Sequence, residues 1–556
     1  MSNIELELIE LLDTIKRLTL VTNDENHLLH LARIYGNLCW VNNTKLFEDA
    51  YWEKLFIDSL YEKYSKKVPS SNLTKDELHV VSECYAHGGH TRLLEQILKI
   101  RNTGDLLISR AEPDYREKLS IKSSCNVYSF NSDASIEDII KIAHNYKIIY
   151  LHIHPDDIIS TVAIGILKKK FGQNIKTIFV NHADHVFSYG FECADLIAEI
   201  SLFGYKINKE YRANKGSKSF FMGIPLDFYE KDLAGFEISF DKIINIFSGG
   251  SDYKYKPFED YDFPAVIKKI TKEIPTSRLV VVGALESNSY WQCLIEELNV
   301  FLYKTLSYDE YLEKSLQADL CIDSYPMPGG TAFPDAWVKG KLVTGLKVPI
   351  RGYTVLESLK FDTQQDLIAA VVELYNKKEQ SQIYKLNISC ELREKFILNH
   401  SFRNVGIRLN DALKSETVCF EYISDYELSE NDSLFFYKRW HAGALFNIDL
   451  KHLMNLSEMF IKQDLLLANA LLINLSSHLV VELLNSNYSI ISNMRKSLDE
   501  MEVIQQQKDN MIEYLNTDLK NYKSEINRIY DSFGWRLARP FRLLIKIIKL
   551  VFYRAN

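Results

Sequence analysis

The stretch DLCIDSYPMPGGTAFPDAWVKGKLVTG, residues 319–345, reads as a buried strand, a Pro/Gly-rich loop, a helix and a second strand. A short apolar run ends on an acid, Asp323, and delivers the chain to a turn. Gly329 and Gly330 let the backbone approach a ligand with no Cβ in the way. Thr331 stands where a helix N-cap is expected, and the helix's first N–H groups and dipole favour an anion such as a diphosphate. One turn later Asp335 is placed to take two ribose hydroxyls. The pattern points to a site for a nucleotide-sugar.

Working outward, the same rhythm fills the middle of the chain. From Leu78, apolar runs alternate with helical stretches: LHVVSECYA, DLLISRA, CNVYSF, KIIYLHIH, IKTIFVNHA and DLIAEIS. A second series runs through KIINIFSGG, RLVVVGA, NVFLYK, ADLCIDSYP and KLVTG. Near-continuous apolar strands separated by helices imply parallel sheets covered on both faces. The fold class is therefore α/β, with two tandem Rossmann-like doubly wound domains at 73–230 and 231–414. Such domains place ligands at the carboxyl ends of their strands, in the cleft between them.

Helical segments flank this pair. Residues 1–72 repeat apolar positions at three and four, which predicts an N-terminal helical domain. Residues 415–490 are apolar and helical in pattern. Residues 491–533 carry a heptad-like seam, Met494, Leu498, Met501, then Met511, Leu515 and Leu519, which predicts a coiled coil or helical hairpin and a homo-oligomer. A single long helix packed on its own domain is the alternative. Residues 534–556 hold Arg536, Arg539, Arg542, Lys546, Lys549 and Arg554 among apolar residues and no acid. A basic amphipathic tail of this kind lies at an anionic membrane surface, or else docks on the protein body.

Composition narrows the partners. The 556 residues are 46% hydrophobic and 25% charged, as in globular proteins, and the formal net charge of −8 argues against nucleic acid as the main partner. Eight scattered cysteines without a CxxC pair fit free thiols in a reducing cytosol. The acidic start MSNIELELIELL is no signal peptide. The expectation is a cytoplasmic protein held peripherally at the inner face of the membrane.

Other loops at strand ends carry candidate chemistry. IFSGGSDYKYKP places Gly249 and Gly250 in a turn beside Lys254 and Lys256, either of which would counter a diphosphate's charge. SECYAHGGHTR brings Gly88, Gly89, His90, Thr91 and Arg92 to the cleft, with Thr91 expected to cap the next helix. No GxGxxG is present, so a dinucleotide cofactor is not supported. KIIYLHIHPDD and NHADHVFSYG end strands in His152, His154, Asp156 and Asp157, and in Asn181, His182, Asp184 and His185. These are candidates for acid/base work, for a metal, or for simple core and capping roles. Asp184 is also placed to orient one of the imidazoles.

Together these loops, above all CIDSYPMPGGTAFPDAWVKGKLVT, resemble the GT-B class of glycosyltransferases. Gly329, Gly330, Thr331, Asp335, Ala336 and Gly340 follow the class's order, with Asp335 where glutamate is common. NHADHVFSYG and the leading helices look like bacterial relatives of the protein O-linked N-acetylglucosamine transferases. IYDSFGWRLARPFRLL is similar to a tail on many bacterial O-antigen and capsule glycosyltransferases. The resemblance implies transfer of a sugar from a nucleotide-sugar, UDP-linked in most such enzymes, to a glycan or lipid-linked glycan acceptor. It implies no bound metal and no cofactor. Gly249, Gly250, Lys254, Lys256, Asp323, Gly329, Gly330, Thr331 and Asp335 would hold the donor. His182, Asp184 or His185 would face the acceptor as base. Two other readings stay open: a non-catalytic scaffold of a polysaccharide assembly complex, and a transferase acting on a protein such as an adhesin.

Overall fold

The computed structural model describes residues 3–442 except 23, 70–72, 86–88, 111–113, 120–124, 213–217, 230–232, 234–235, 237–239, 241, 296, 416, 419 and 423–434, together with 520, 521, 523 and 524. The coiled coil expected at 491–533, the tail at 534–556 and most of 415–490 lie outside the described residues. So does Gly88.

The chain divides into two compact units. One comprises residues 1–44 with 442–556. Its helices Asn3–Val21 and Glu25–Val41 bury Leu12, Ile15 and Leu18 and Leu31, Ile34, Tyr35 and Leu38, the stripe that the spacing of three and four requires. Asp24 caps the second helix by accepting the His27 N–H.

The other unit, 45–441, holds two parallel sheets. In the first, strands β1 (Lys75–Val81), β2 (Gly104–Ile108), β3 (Val127–Tyr128), β4 (Tyr146–His152), β5 (Lys176–Asn181), β6 (Leu196–Glu199) and β7 (Ser219–Phe221) lie in the order 3-2-1-4-5-6-7. In the second, β8 (Asn245–Gly249), β9 (Arg278–Val282), β10 (Val300–Tyr303), β11 (Leu320–Ile322), β12 (Leu342–Leu346) and β13 (Lys360–Phe361) lie in the order 10-9-8-11-12-13. Both are doubly wound, and each reverses direction beside its first strand. The α/β architecture expected from the apolar rhythm is present. Strands such as β12 are buried along their whole length, which is why they read as continuous apolar runs.

Elements from both ends of this unit pack onto the first domain. Helix Ala50–Ser65 packs on helix Ile158–Phe171 of the first domain. At the other end, helix Phe402–Lys414 crosses back onto the first domain, and Arg408 donates to the Met222 carbonyl at 2.8 Å. Beside it the Leu226 N–H bonds the His400 carbonyl at 2.9 Å. The His400 Nδ1–H bonds the Ile224 carbonyl at 2.7 Å, and burial depresses this imidazole to about 4, so it stays neutral in the crossing. The two domains also meet where the Leu202 and Phe203 N–H groups bond the carbonyls of Gly352 and Arg351, at 3.1 and 3.2 Å.

One close approach fixes the loops above the second sheet. Gly283, just after β9, has φ +100°, and a Cβ there would stand 1.7 Å from the Gly250 carbonyl oxygen. Gly172 also has positive φ, +59°, but open space around it. Gly172→Ala is expected to cost about 1–2 kcal/mol, from backbone strain alone. Gly283→Ala, which adds a collision with backbone, is expected to cost clearly more in urea denaturation. Equal costs for the two would mean that the Gly250 and Gly283 loops are not in contact.

Candidate functional site

The site forms at the point where the second sheet reverses direction, between the carboxyl ends of β8 and β11. Three loops stack there. The Gly250 N–H bonds the Val282 carbonyl at 3.1 Å, and the Gly283 N–H bonds the Tyr303 carbonyl at 2.7 Å. Asp252 clamps the same region by accepting the Leu285 N–H at 2.6 Å and the Trp291 Nε1–H at 2.8 Å. A cavity of about 550 Å³ opens between these loops and Gly329–Ala332, and Gly89 and Arg92 of the first domain line it too.

The two candidate lysines separate here. Lys254 lines the cavity, and its Nζ reaches across to the Pro328 carbonyl at 3.2 Å. Lys256 is exposed and does not line the cavity. Gly249, Gly250, Gly329, Thr331 and Asp335 all line it. Lys304 and Tyr311, beyond β10, line it as well, and nothing in their spacing marked them in the sequence.

Asp323 occupies a different place from the donor contact expected of it. It is buried and absent from the cavity wall. Its Oδ1 accepts the N–H groups of Gly329 and Ser324, at 2.8 and 2.9 Å. Its Oδ2 accepts Lys360 Nζ at 2.7 Å, an ion pair whose two side chains are each 4% exposed. The carboxylate therefore shapes the glycine loop from behind. A lysine set in the apolar run LESLKF was the one sign of such a pair in the sequence.

Two threonines expected as caps do other work. Thr331 holds the N-cap position of helix Ala332–Val338 but makes no capping bond with its side chain. Its Oγ1 instead lies towards the first domain, 3.3 Å from where a Cβ on Gly89 would be. Thr91 falls inside helix Gly89–Arg101, and its Oγ1 accepts the Tyr85 N–H at 2.7 Å, closing the loop before the helix. Helix Ala332–Val338 has only seven residues, so its dipole is small and positive charge at the cavity comes mainly from the side chains of Lys254, Lys304 and Arg92. Arg92 faces the cavity while paired with Glu95 at 2.7 Å, and Asp335 is ion-paired with Lys339 one turn on.

On the first-domain side the three candidate bases differ sharply, and none of them lines the cavity. His182 joins His152 through Nε2, at 2.8 Å, and its ring lies 4.2 Å from that of His90. Burial, with repulsion from His90, holds its imidazole well below the ordinary histidine range. Asp184 is fully buried: Oδ1 accepts the Tyr353 hydroxyl at 2.8 Å and Oδ2 accepts the Ser201 hydroxyl. His185 lies 14% exposed with Nδ1 3.2 Å from Asp184 Oδ1. A carboxylate on Nδ1 leaves Nε2 as the proton-accepting nitrogen, the arrangement a general base needs. Asp184 thus orients the imidazole.

Tyr353 ties this dyad to the donor loop, since its ring lies 4.0 Å from where a Cβ on Gly330 would be. The segment Phe435–Trp440 packs beside His185, outside the cavity lining. Tyr437 is buried with its ring 5.6 Å from that of His185, and its hydroxyl donates to the Pro326 carbonyl. Neither tyrosine sits in a motif, so contact across the cleft is their only signature. The remaining acids are structural. Asp157 caps helix Ile158–Phe171 and accepts the hydroxyls of Ser82, Ser109 and Ser160, while Asp156 pairs with Arg110 and His154. Among the described residues no three His, Cys, Asp or Glu side chains are grouped to hold a metal ion, and no helix is long and apolar enough to cross a membrane.

No family model matches the chain, and no curated protein matches it. Among solved structures it is similar to Anabaena HepE in complex with UDP, at 13% identity over 61% of this chain and 99% of that one, with a TM-score of 0.44. It is similar to an O-GlcNAc transferase variant of Thermobaculum terrenum, at 12% identity over 72% and 79%, with a TM-score of 0.44. It is also similar to the UDP-GlcNAc 2-epimerase of Neisseria meningitidis bound to UDP-GlcNAc, at 13% identity over 61% and 99%, with a TM-score of 0.39. At these scores the likenesses say nothing of what this chain does.

The buried pair behind the glycine loop gives a direct test. Asp323→Asn leaves Lys360 buried without its counter-charge and is expected to cost about 3–5 kcal/mol in urea denaturation. Asp323→Leu combined with Lys360→Met is expected to recover part of that stability without recovering nucleotide binding, because Gly329 then lacks its acceptor. Full recovery of binding in the double variant would refute the scaffolding role.

Proposed function

We propose that the chain is a glycosyltransferase that uses a nucleotide-sugar donor, UDP-linked, and extends a bacterial surface glycan carried on lipid. One observation carries the reading. The cavity at the strand reversal combines glycine loops and Lys254 from one domain with Gly89 and Arg92 from the other. Glycine loops that admit a ligand close to the backbone, with a cation beside them, suit a diphosphate, and Asp335 in the same lining suits a ribose. The basic, apolar tail at 534–556 supports a lipid-linked acceptor.

In this reading His185 Nε2 takes the proton of an acceptor hydroxyl as its oxygen attacks the anomeric carbon. The bond from that carbon to the diphosphate breaks in the same step, and the nucleoside diphosphate leaves with the electron pair. Lys254 stabilises the charge that develops on it, without a metal ion. A single displacement of this kind inverts the anomeric centre.

Calorimetry with UDP in the presence of a chelator tests the donor site. Lys254→Met is expected to weaken UDP binding about a hundredfold, in line with the loss of roughly 2–3 kcal/mol from a charged hydrogen bond. Lys256→Met is expected to leave it within about threefold. His185→Ala is expected to keep UDP affinity while abolishing transfer. Absence of heat with UDP and with GDP would overturn the donor site and favour a non-catalytic scaffold.

A further inference from the structure

An aromatic ring stands in the cavity wall beside Lys254 and has no part in the reading so far. Tyr253 lines the cavity and is 52% exposed. Its backbone is fixed by its neighbours in the chain. Asp252 before it accepts the Leu285 N–H and the Trp291 Nε1–H, and Lys254 after it reaches the Pro328 carbonyl. Its ring is backed by Trp440, a side chain 4% exposed, with ring centroids 5.8 Å apart and planes inclined by 47°. A ring held in one place and open to a cavity is a surface on which a ligand can stack with little ordering still to be done.

Trp440 comes from the segment Phe435–Trp440, which touches both domains. Its ring lies 5.8 Å from that of Tyr437, which lies 5.6 Å from that of His185 in the first domain. In the second domain Phe436 packs on Phe258 at 5.2 Å, and Arg439 pairs with Glu259 at 2.8 Å. A continuous run of rings therefore leads from His185 through Tyr437 and Trp440 to the cavity wall at Tyr253.

The chemistry of the donor says what belongs there. A hexose is bonded directly to the diphosphate, so it lies beside the cation that holds that diphosphate. It also lies on the acceptor's side, because the acceptor oxygen attacks the carbon that carries the phosphate. Tyr253 meets both conditions: it is the chain neighbour of Lys254, and the run of rings joins it to His185. We propose that Tyr253 is the platform on which the hexose of the nucleotide-sugar stacks, a role that rests on the donor-site reading. One face of a pyranose presents C–H groups whose hydrogens are slightly positive, and these suit the electron-rich face of the phenol ring. The ring carries this role and the hydroxyl does not. Trp440 touches no ligand; it is a positioning residue that keeps the Tyr253 ring at the wall.

The test is calorimetry on the full-length chain with UDP, UDP-glucose, UDP-galactose and UDP-N-acetylglucosamine, each with a chelator present. The readout is the loss for the tightest-binding sugar nucleotide set against the loss for UDP. Tyr253→Leu is expected to weaken the sugar nucleotide about tenfold and UDP less than about threefold. Tyr253→Phe, which keeps the ring, is expected to hold the sugar nucleotide within about threefold of wild type. Trp440→Leu is expected to give a smaller loss with the same selectivity for the sugar nucleotide. Tyr253 is half-exposed, so its replacement leaves the core intact, and retained UDP binding checks this in the same experiment. Equal losses for UDP and the sugar nucleotide in Tyr253→Leu overturn the proposal, and so does no loss for either. A Tyr253→Phe chain as weak as Tyr253→Leu overturns the stacking role. A Trp440→Leu chain that binds UDP and the sugar nucleotide like wild type overturns the role of Trp440. Absence of heat with all four ligands in the wild-type chain removes the donor site itself, and that result is reached before any variant is made.

Discussion

The buried carboxylate of Asp323 is the constraint on which the candidate site depends. It ends β11 at the strand reversal and holds the Gly329 N–H with one oxygen and Lys360 with the other. The loop that lines the cavity is therefore shaped by a charge that does not itself line it. Such an ion pair adds little net stability over an apolar pair, but losing one member leaves a buried charge uncompensated. That asymmetry makes the loop geometry specific. It also keeps Asp323 out of the cavity lining.

The facing wall is built on the same principle. Asp184 gives one oxygen to Ser201 and the other to Tyr353 and His185, so a single buried carboxylate links the first domain, the second domain and the His185 imidazole. Tyr437 fills the space beside them from a segment far along the chain. Orientation of the His185 ring and contact between the two domains thus depend on one carboxylate. A change at the Gly352–Tyr353 loop would be felt at His185 without any direct contact between them.

Much of the fold was legible because its signals are local. Apolar runs broken by helices gave two parallel sheets, and glycine pairs at strand ends marked the loops that line the cavity. Lys254 and Lys256 read alike in SGGSDYKYKP, yet the short helical turn Asp252–Tyr255 sends one into the cavity and the other to solvent. Thr331 and Thr91 show the same limit. Each sits in the right residue pattern for a cap, and each has its hydroxyl drawn elsewhere by a neighbour that sequence distance hides.

The histidines make the division plain. The sequence determined that strands of the first domain would end in imidazoles at the cleft, because a strand's carboxyl end is fixed by its own apolar length. It did not determine which imidazole would be a base. That depends on partners brought from elsewhere in the fold: His152 for His182, and Asp184 with Tyr353 for His185. Proton affinity and tautomer are set by burial and by hydrogen bonds across the sheet and between the domains. Those contacts exist only once the chain is folded.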